Sequence, residues 1–189
     1  MELDAESDEA LMWRYGGGNA AAFDVLYARH EMRIWRYIQR HVGNQATADE
    51  LMQDVWFAVA REAGRYRPTA RFTTWLFTLA HHRVIDAFRA RRDHASLDEP
   101  GDNGETLLDE LPAEDGDPLP ELQSAQDQRA LLSAIAQLPV AQRDTFLLQV
   151  EGDMSVQEIA AATGVSFETT KSRLRYARHQ LRQLLREYA

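Results

Sequence analysis

The chain has 189 residues, a formal net charge of −9 and no cysteine. The lack of cysteine excludes disulfide frameworks, thiol catalysis and cysteine-ligated zinc fingers. No apolar run reaches the length of a membrane-spanning helix, and apolar residues recur at helical rather than alternating spacing. We therefore expect an all-α, cytoplasmic protein without membrane insertion.

Charge divides the chain into three blocks. Residues 1–92 carry 13 Arg against 12 acids, and residues 129–189 carry 8 basic residues against 6 acids. Residues 93–128 carry 12 acids, four prolines and three glycines, with no Lys, Arg or aromatic residue. Such a segment buries little apolar surface. We predict two small helical domains, 1–92 and 129–189, joined by a flexible acidic linker over 93–128. We also expect the linker to compete with DNA for the basic faces of the domains.

Apolar spacing predicts three helices in the first block, over residues 21–42, 48–66 and 72–93. The pair Thr47 and Glu50 has capping-box spacing, with Thr47 as the predicted N-cap of the second helix. This helix leaves Asp49, Gln53 and Asp54 exposed. Acids near a helix N-terminus also complement the helix dipole, so helix stability alone explains them equally well.

Basic and aromatic residues alternate from Arg65 to Arg92. Rings at helical spacing are usually core residues, but rings beside arginines also form surfaces for single-stranded nucleic acid. We expect some of the rings in each role. The tandem residues His81 and His82 point about 100° apart on a helix. Because no acid or cysteine nearby in the sequence completes a ligand set, no metal site is expected.

The third block contains a helix-turn-helix pattern. Ser155 and Glu158 form a second capping box, Gly164 suits a left-handed turn, and Ser166 is the N-cap candidate of a longer helix. The outer face of that helix carries Glu168, Thr169, Lys171, Ser172 and Arg175, with Arg173, Arg178 and Arg182 available to phosphates. An ordinary amphipathic helix with a solvated basic face fits the pattern equally well.

Three longer sequence segments resemble one protein family in their residues and in their order along the chain. They are ADELMQDVWFAVAREAGRYR, ARFTTWLFTLAHHRVIDAFRARR and LPVAQRDTFLLQVEGDMSVQEIAAATGVSFETTKSRLRYARHQLRQLL. Together they closely resemble the extracytoplasmic-function group of bacterial sigma-70-type sigma factors, with region 2 and region 4 on either side of a variable linker. The resemblance favours DNA binding over a plain amphipathic helix.

The resemblance implies three sets of site residues. Core RNA polymerase docks on Asp49, Gln53 and Asp54. The opened −10 element, with a flipped base, contacts Arg67, Arg71, Phe72, Trp75, His82 and Arg83. The −35 duplex contacts Glu168, Thr169, Lys171, Ser172, Arg173, Arg175, Tyr176 and Arg178. The implied partners are core RNA polymerase, promoter DNA and an anti-sigma factor.

The chain departs from the family pattern at two of these positions. His82 stands where the family most often has asparagine, which changes the expected contact with the flipped base. Glu168 opens the run ETTKSR where the family usually has GTVKSR. A carboxylate at this position repels phosphate but accepts a hydrogen bond from cytosine N4, so Glu168 is predicted to select sequence.

Other functions compete with this one. A stand-alone helix-turn-helix regulator would bind duplex DNA without polymerase, usually as a dimer on a palindrome. A sigma mimic that sequesters an anti-sigma factor would have no need of the basic residues on both DNA-facing helices. An enzyme is not favoured, because no nucleophile-and-base spacing is visible, and we expect no catalytic residue and no cofactor.

Overall fold

The structure, a computed structural model, describes residues 3–95 and 125–186, and the regular structure in these ranges is helical. Its α-helices are α1 (Asp8–Gly16), α2 (Ala20–Val42), α3 (Gln45–Glu62), α4 (Phe72–Ala95), α5 (Ala125–Gln137), α6 (Val140–Val150), α7 (Val156–Thr163) and α8 (Phe167–Arg186). The all-α prediction is confirmed. The predicted domain boundaries at 92 and 129 fall inside α4 and α5, and most of the predicted linker lies outside the described residues.

Helices α1 to α4 form the N-terminal domain, in which α2 packs against α1, α3 and α4. Their apolar stripes meet in a core that includes Leu26, Ile34, Val55, Val59, Leu76 and Val84, each fully buried. The predicted N-cap of α3 was wrong. Asn44 accepts the hydrogen bond from the Thr47 backbone N–H at 3.1 Å, so Thr47 lies within the first turn.

Helices α5 to α8 form the C-terminal domain. The Ser155–Glu158 capping box at the start of α7 is present, and Gly164 ends α7 in the left-handed region with φ of 71°. Ser166 accepts a hydrogen bond from the Thr169 N–H at 3.0 Å, which confirms it as the cap of α8. Leu174, Ala177, Leu181 and Leu185 form the buried stripe of α8.

The two domains share one continuous apolar core. Tyr37 and Phe77 of the N-terminal domain pack edge to face with ring centroids 5.6 Å apart, and they join a cluster with Phe146 and Met154 of the C-terminal domain. Gly152 allows this close approach. A Cβ atom there would lie 3.1 Å from Phe77 Cγ and 2.5 Å from the Leu148 carbonyl oxygen.

A buried carboxylate lies at the centre of the domain interface. Asp144 is 4% exposed, and it accepts a hydrogen bond from the Tyr37 hydroxyl at 2.6 Å. Its oxygens also lie 2.9 Å from Nδ1 of His81 and 3.3 Å from Nε2 of His41. Burial opposes ionisation, but the two imidazoles outweigh it and hold the pKa of Asp144 well below its usual value. Tyr37 on α2 thus donates to the carboxylate, and one imidazole on α2 and one on α4 lie within ion-pair distance of it.

Two further acids of the C-terminal domain form ion pairs with arginines of the N-terminal domain. Glu151, 4% exposed, contacts Arg40 and lies 3.1 Å from Arg36. Glu158 accepts hydrogen bonds from Thr74 Oγ1 at 2.6 Å and from Arg71 at 3.1 Å. Partial burial opposes ionisation of Glu158, but hydrogen bonds from Thr74, Ser155 and Arg71 lower its pKa to about 2.

The left-handed turn at Gly164 gives a first testable prediction. Gly164→Ala should lower the free energy of unfolding by about 1 to 2 kcal/mol, because a Cβ in the left-handed region is strained even though the surrounding space is open. Gly64→Ala is the matched control, since Gly64 also faces open space but does not have a positive φ. Urea unfolding followed by circular dichroism measures both. Equal effects of the two substitutions would contradict this account of the turn.

The interface acids make stability depend on pH. The pKa values of Asp144 and Glu158 are lower in the folded protein than their usual values of 3.8 and 4.5, so both ionised groups stabilise the fold above that range. This stabilisation is lost as pH falls. We expect the unfolding free energy to decline between about pH 4.5 and about 2, and Glu158→Gln to make the decline shallower.

Glutamine keeps one acceptor oxygen for the capping box, so this variant removes the charge of Glu158 together with one of the two acceptor oxygens that the carboxylate uses. Urea titrations over the acid range measure the effect. Superimposable acid profiles for the wild type and Glu158→Gln would show that the charge of Glu158 does not stabilise the fold.

Candidate nucleic-acid and protein interfaces

The residues of α8 that are predicted to contact the −35 duplex lie away from the buried stripe of the helix. Its apolar side packs against α5, α6 and α7, whereas Glu168, Lys171 and Arg178 are exposed. The rest of the set, Thr169, Ser172, Arg173, Arg175 and Tyr176, is partly exposed. The structure thus brings all eight residues to the accessible side of the second helix of a helix-turn-helix, the element that enters a major groove.

Neighbouring side chains pre-position two members of this set. The guanidinium of Arg175 lies 5.2 Å from the ring centroid of Tyr176, and Arg178 donates a hydrogen bond to Gln149 at 2.7 Å. Phe167, 49% exposed at the first position of α8, was missed by the sequence analysis. Its place directly after the cap Ser166 is a signal that could have revealed it, because the first turn of such a helix faces the bases.

The predicted −10 residues lie along the loop before α4 and on α4 itself, but they differ in accessibility. Arg67 and His82 are exposed, and Trp75 and Arg83 are partly exposed. Arg71 is exposed but engaged, because it hydrogen-bonds to the carboxylate of Glu158 and to Asp153. Burial, followed by the charge of His81, lowers the pKa of His82.

Phe72 requires a correction. Its ring is fully buried and packs near Tyr66, Trp75 and His30, with centroid distances of 6.2, 5.7 and 5.5 Å. A ring without exposed surface cannot stack on a base, so in this structure Phe72 supports the loop from the core. Its backbone N–H also donates to Glu9 at 2.7 Å, which ties the start of α4 to α1.

The three predicted docking residues of α3 are all exposed but face two grooves. Asp49 and Gln53 line a groove of about 370 Å³ between α2 and α3, together with Met32 and Trp35. Asp54 lines a groove of about 450 Å³ between α3 and α4. The Trp35 indole N–H donates to Asp49 at 3.1 Å, which orients that carboxylate.

Two apolar residues beside α3 were missed by the sequence analysis. Met32 is 57% exposed in the first groove, and Phe57 is 69% exposed in the second. Phe57 follows Gln53 by one helical turn and lies off the buried stripe of α3. An apolar residue at an exposed helical position was therefore a readable signal.

The tandem histidines behave differently from each other. His81 is buried, and its ring lies beside the carboxylate of Asp144, a residue that is distant in sequence. His82 is exposed. Within residues 3–95 and 125–186, no group of three His, Asp or Glu side chains has an arrangement that could hold a metal ion. In the same ranges, no helix combines the length and apolarity needed to cross a membrane.

Two family models match separate parts of the chain. The Sigma-70 region 2 family matches residues 26–94, and the Sigma-70, region 4 family matches residues 128–181. RNA polymerase sigma factor CarQ of Myxococcus xanthus is 34% identical over 93% of this chain and 96% of its own. ECF RNA polymerase sigma factor RpoE of Cereibacter sphaeroides is 34% identical over 86% of each chain.

Solved structures share the fold. CnrH, in complex with the cytosolic domain of CnrY, gives a TM-score of 0.66 at 22% identity over 97% of this chain and 100% of the matched chain. The sigma factor RpoE of Bartonella quintana, in complex with the anti-sigma factor NepR, gives a TM-score of 0.65 at 21% identity. This match covers 87% of this chain and 96% of the matched chain. With two family matches in the predicted order and relatives that align over nearly its whole length, the chain belongs to the extracytoplasmic-function group of sigma-70 family RNA polymerase sigma factors.

Proposed function

We propose that this sigma factor docks on core RNA polymerase through α3, reads the −10 element with α4 and its preceding loop, and reads the −35 duplex with α8. The observation that carries the proposal is the accessible row of base-reading and phosphate-binding side chains on α8. In this role the chain acts in the cytoplasm and contributes no catalytic residue or cofactor, because the polymerase performs the chemistry.

The surface around α3 suits a protein partner. Met32 and Phe57 offer exposed apolar area, and Asp49, Gln53 and Asp54 provide a polar rim around it. Protein interfaces combine apolar anchors with a polar rim in this way. The two grooves on either side of α3 would let a partner helix contact both sets of side chains.

The α4 surface suits an opened DNA strand. Arg67 and Arg83 can follow phosphates, while Trp75 offers a partly exposed ring and His82 an exposed ring to bases. These accessible basic residues argue against a sigma mimic, which would not need them. A stand-alone regulator would leave the polar and apolar surface of α3 without a partner.

An anti-sigma factor completes the proposed set of partners. The Bartonella quintana RpoE structure holds a sigma factor of similar fold together with an anti-sigma factor. We expect a comparable partner for this chain.

The docking proposal predicts the effect of removing the polar side chains of α3. An Asp49→Ala/Gln53→Ala/Asp54→Ala variant should bind core RNA polymerase at least about tenfold more weakly, because a combined loss of about 1.4 kcal/mol over the three truncated side chains is a tenfold loss of affinity. Gel filtration with bacterial core polymerase measures co-elution, and fluorescence titration measures the affinity.

The matched control removes two acids and one glutamine from helices other than α3, as Asp24→Ala/Asp127→Ala/Gln183→Ala. It should co-elute like the wild type. Equal loss of binding in both variants would point to a general charge effect and contradict docking through α3.

The −35 proposal separates the roles of two residues on α8. Lys171→Gln should weaken binding of the holoenzyme to all duplexes alike and reduce the slope of log affinity against log salt by about 0.9. Glu168→Ala should leave that slope nearly unchanged but remove a preference for cytosine at one position. Selection from a randomised duplex pool, followed by salt titration of the selected sequences, measures both. The assignment fails if Glu168→Ala selects the same sequences as the wild type.

A further inference from the structure

Helix α1 carries a strongly exposed tryptophan. The side chain of Trp13 is 77% exposed, whereas Trp35, Trp56 and Trp75 are buried or partly buried. Tryptophan is on average one of the more buried residues, and it is enriched at binding surfaces because its ring brings a large contact area. The packing of the N-terminal domain does not account for Trp13, so we searched its surroundings for a ligand that would.

The loop before α4 is held against α1 on both sides of Trp13. One turn before Trp13, the carboxylate of Glu9 accepts a hydrogen bond from the Phe72 backbone N–H at 2.7 Å. One turn after it, Gly16 lies so close to the backbone of Ala63 that a Cβ atom would be 2.6 Å from that carbonyl oxygen. Residues four before and three after a helical position lie on the same face. The loop between these two contacts therefore passes Trp13.

A buried ring connects this part of α1 to α4. Tyr66, in the loop, packs against Trp75 with ring centroids 5.1 Å apart. Burial, followed by the nearby charges of Glu9 and Asp8 on α1, raises the pKa of Tyr66 to about 12. Tyr66 thus lies between the two helices, and each helix carries one accessible tryptophan beside it, Trp13 on α1 and Trp75 on α4.

The loop has the charge that a nucleic-acid strand requires. Residues 63–72 contain three arginines and no acid, and both Arg65 and Arg67 are exposed. Arginines that follow phosphates beside rings that stack on bases are the two components of a surface for single-stranded nucleic acid. Trp13 and the loop together provide both components.

The surroundings of Trp13 on α1 do not suit an apolar protein segment. Its neighbours Arg14 and Gly17 are exposed, and Arg14 pairs with the carboxylate of Glu6 at 2.7 Å. Protein interfaces place their aromatic anchors in apolar, well-packed cores. An isolated indole among polar groups and glycine instead fits a flat ring that arrives with its own charged backbone.

We infer that Trp13 is a base-stacking residue, which holds one unpaired base of the opened promoter strand just outside the −10 element. The inference rests on the proposed function and extends the strand surface from α4 and its loop to α1. Every base has a π-face, so stacking on Trp13 adds affinity for the opened strand without selecting its sequence.

The test removes single bases from the strand. The probe is a promoter that wild-type holoenzyme selects from a randomised duplex pool, opened by mismatches over the −10 element and its flanks. Otherwise identical probes carry one abasic site at successive positions of the non-template strand. Wild-type holoenzyme should bind at least about fivefold more weakly when the abasic site falls at one particular position outside the element.

Two substitutions of Trp13 separate stacking from apolar contact. Trp13→Leu is apolar but lacks a π-face, so it should lose the same affinity on the intact probe and be insensitive to the abasic site at that position. Trp13→Phe is the matched control, because its ring can still stack, and it should keep most of the affinity and the sensitivity. Circular dichroism verifies that both variants keep their helices.

A fluorescent base gives a readout that a purely structural role of Trp13 would not change. With 2-aminopurine at the sensitive position, binding of wild-type or Trp13→Phe holoenzyme should quench the fluorescence by stacking. Trp13→Leu holoenzyme, at concentrations that saturate the probe, should leave the fluorescence closer to that of the free probe.

Three results would overturn the inference. Wild-type holoenzyme could be insensitive to abasic sites at every position outside the −10 element. Trp13→Leu could keep the sensitivity of the wild type. Trp13→Leu could weaken co-elution with core polymerase and leave the binding of the assembled holoenzyme to DNA unchanged, which would make the partner of Trp13 a protein.

The proposed function is judged on the wild type. If wild-type holoenzyme selects no sequence from the duplex pool beyond those that core polymerase binds alone, the sigma-factor assignments fail and this inference fails with them. If wild-type holoenzyme selects a promoter and Trp13→Leu behaves identically on every probe, the role of Trp13 alone is refuted.

Discussion

The carboxylate of Asp144 determines how the two halves of this protein meet. A charge buried at a domain interface is destabilising unless partners surround it. Here Tyr37 donates a hydrogen bond, and His41 and His81 lie within ion-pair distance. Burial and the adjacent charge raise the pKa of Tyr37 further above neutral pH. Because these partners lie on two helices that pack together in the N-terminal core, they hold α6, and α6 in turn places α7 beside α4.

This placement divides the proposed binding surfaces into two that are open and one that is covered. Asp49, Gln53 and Asp54 on α3 and the reading face of α8 remain accessible, while Arg71 is held by Asp153 and Glu158. The proposed contact of Arg71 with DNA therefore requires its ion pairs with Asp153 and Glu158 to break.

Local sequence patterns predicted most of the fold. The features that they missed depend on contacts between residues that are distant in sequence. The Ser155–Glu158 capping box, the turn at Gly164 and the buried stripe of α8 each depend on residues a few positions apart. The cap of α3 was missed because Asn44 and Thr47 are both good N-caps and propensity alone does not choose between them. The burial of Phe72 and the pairing of His81 with Asp144 depend on contacts between separate helices. The pairing of Glu151 and Glu158 with arginines across the interface was hidden for the same reason, because both residues look like ordinary surface acids in the sequence. Charge composition pointed instead to the linker, which lies largely outside the described residues, as the competitor for the basic faces.

The central claim is that the chain docks on core RNA polymerase through the exposed side chains of α3. The most direct measurement is gel filtration of core RNA polymerase with the wild-type chain and with the Asp49→Ala/Gln53→Ala/Asp54→Ala variant. We predict that the wild-type chain co-elutes with polymerase and that the variant elutes separately. Co-elution of the variant at the wild-type level would contradict the account.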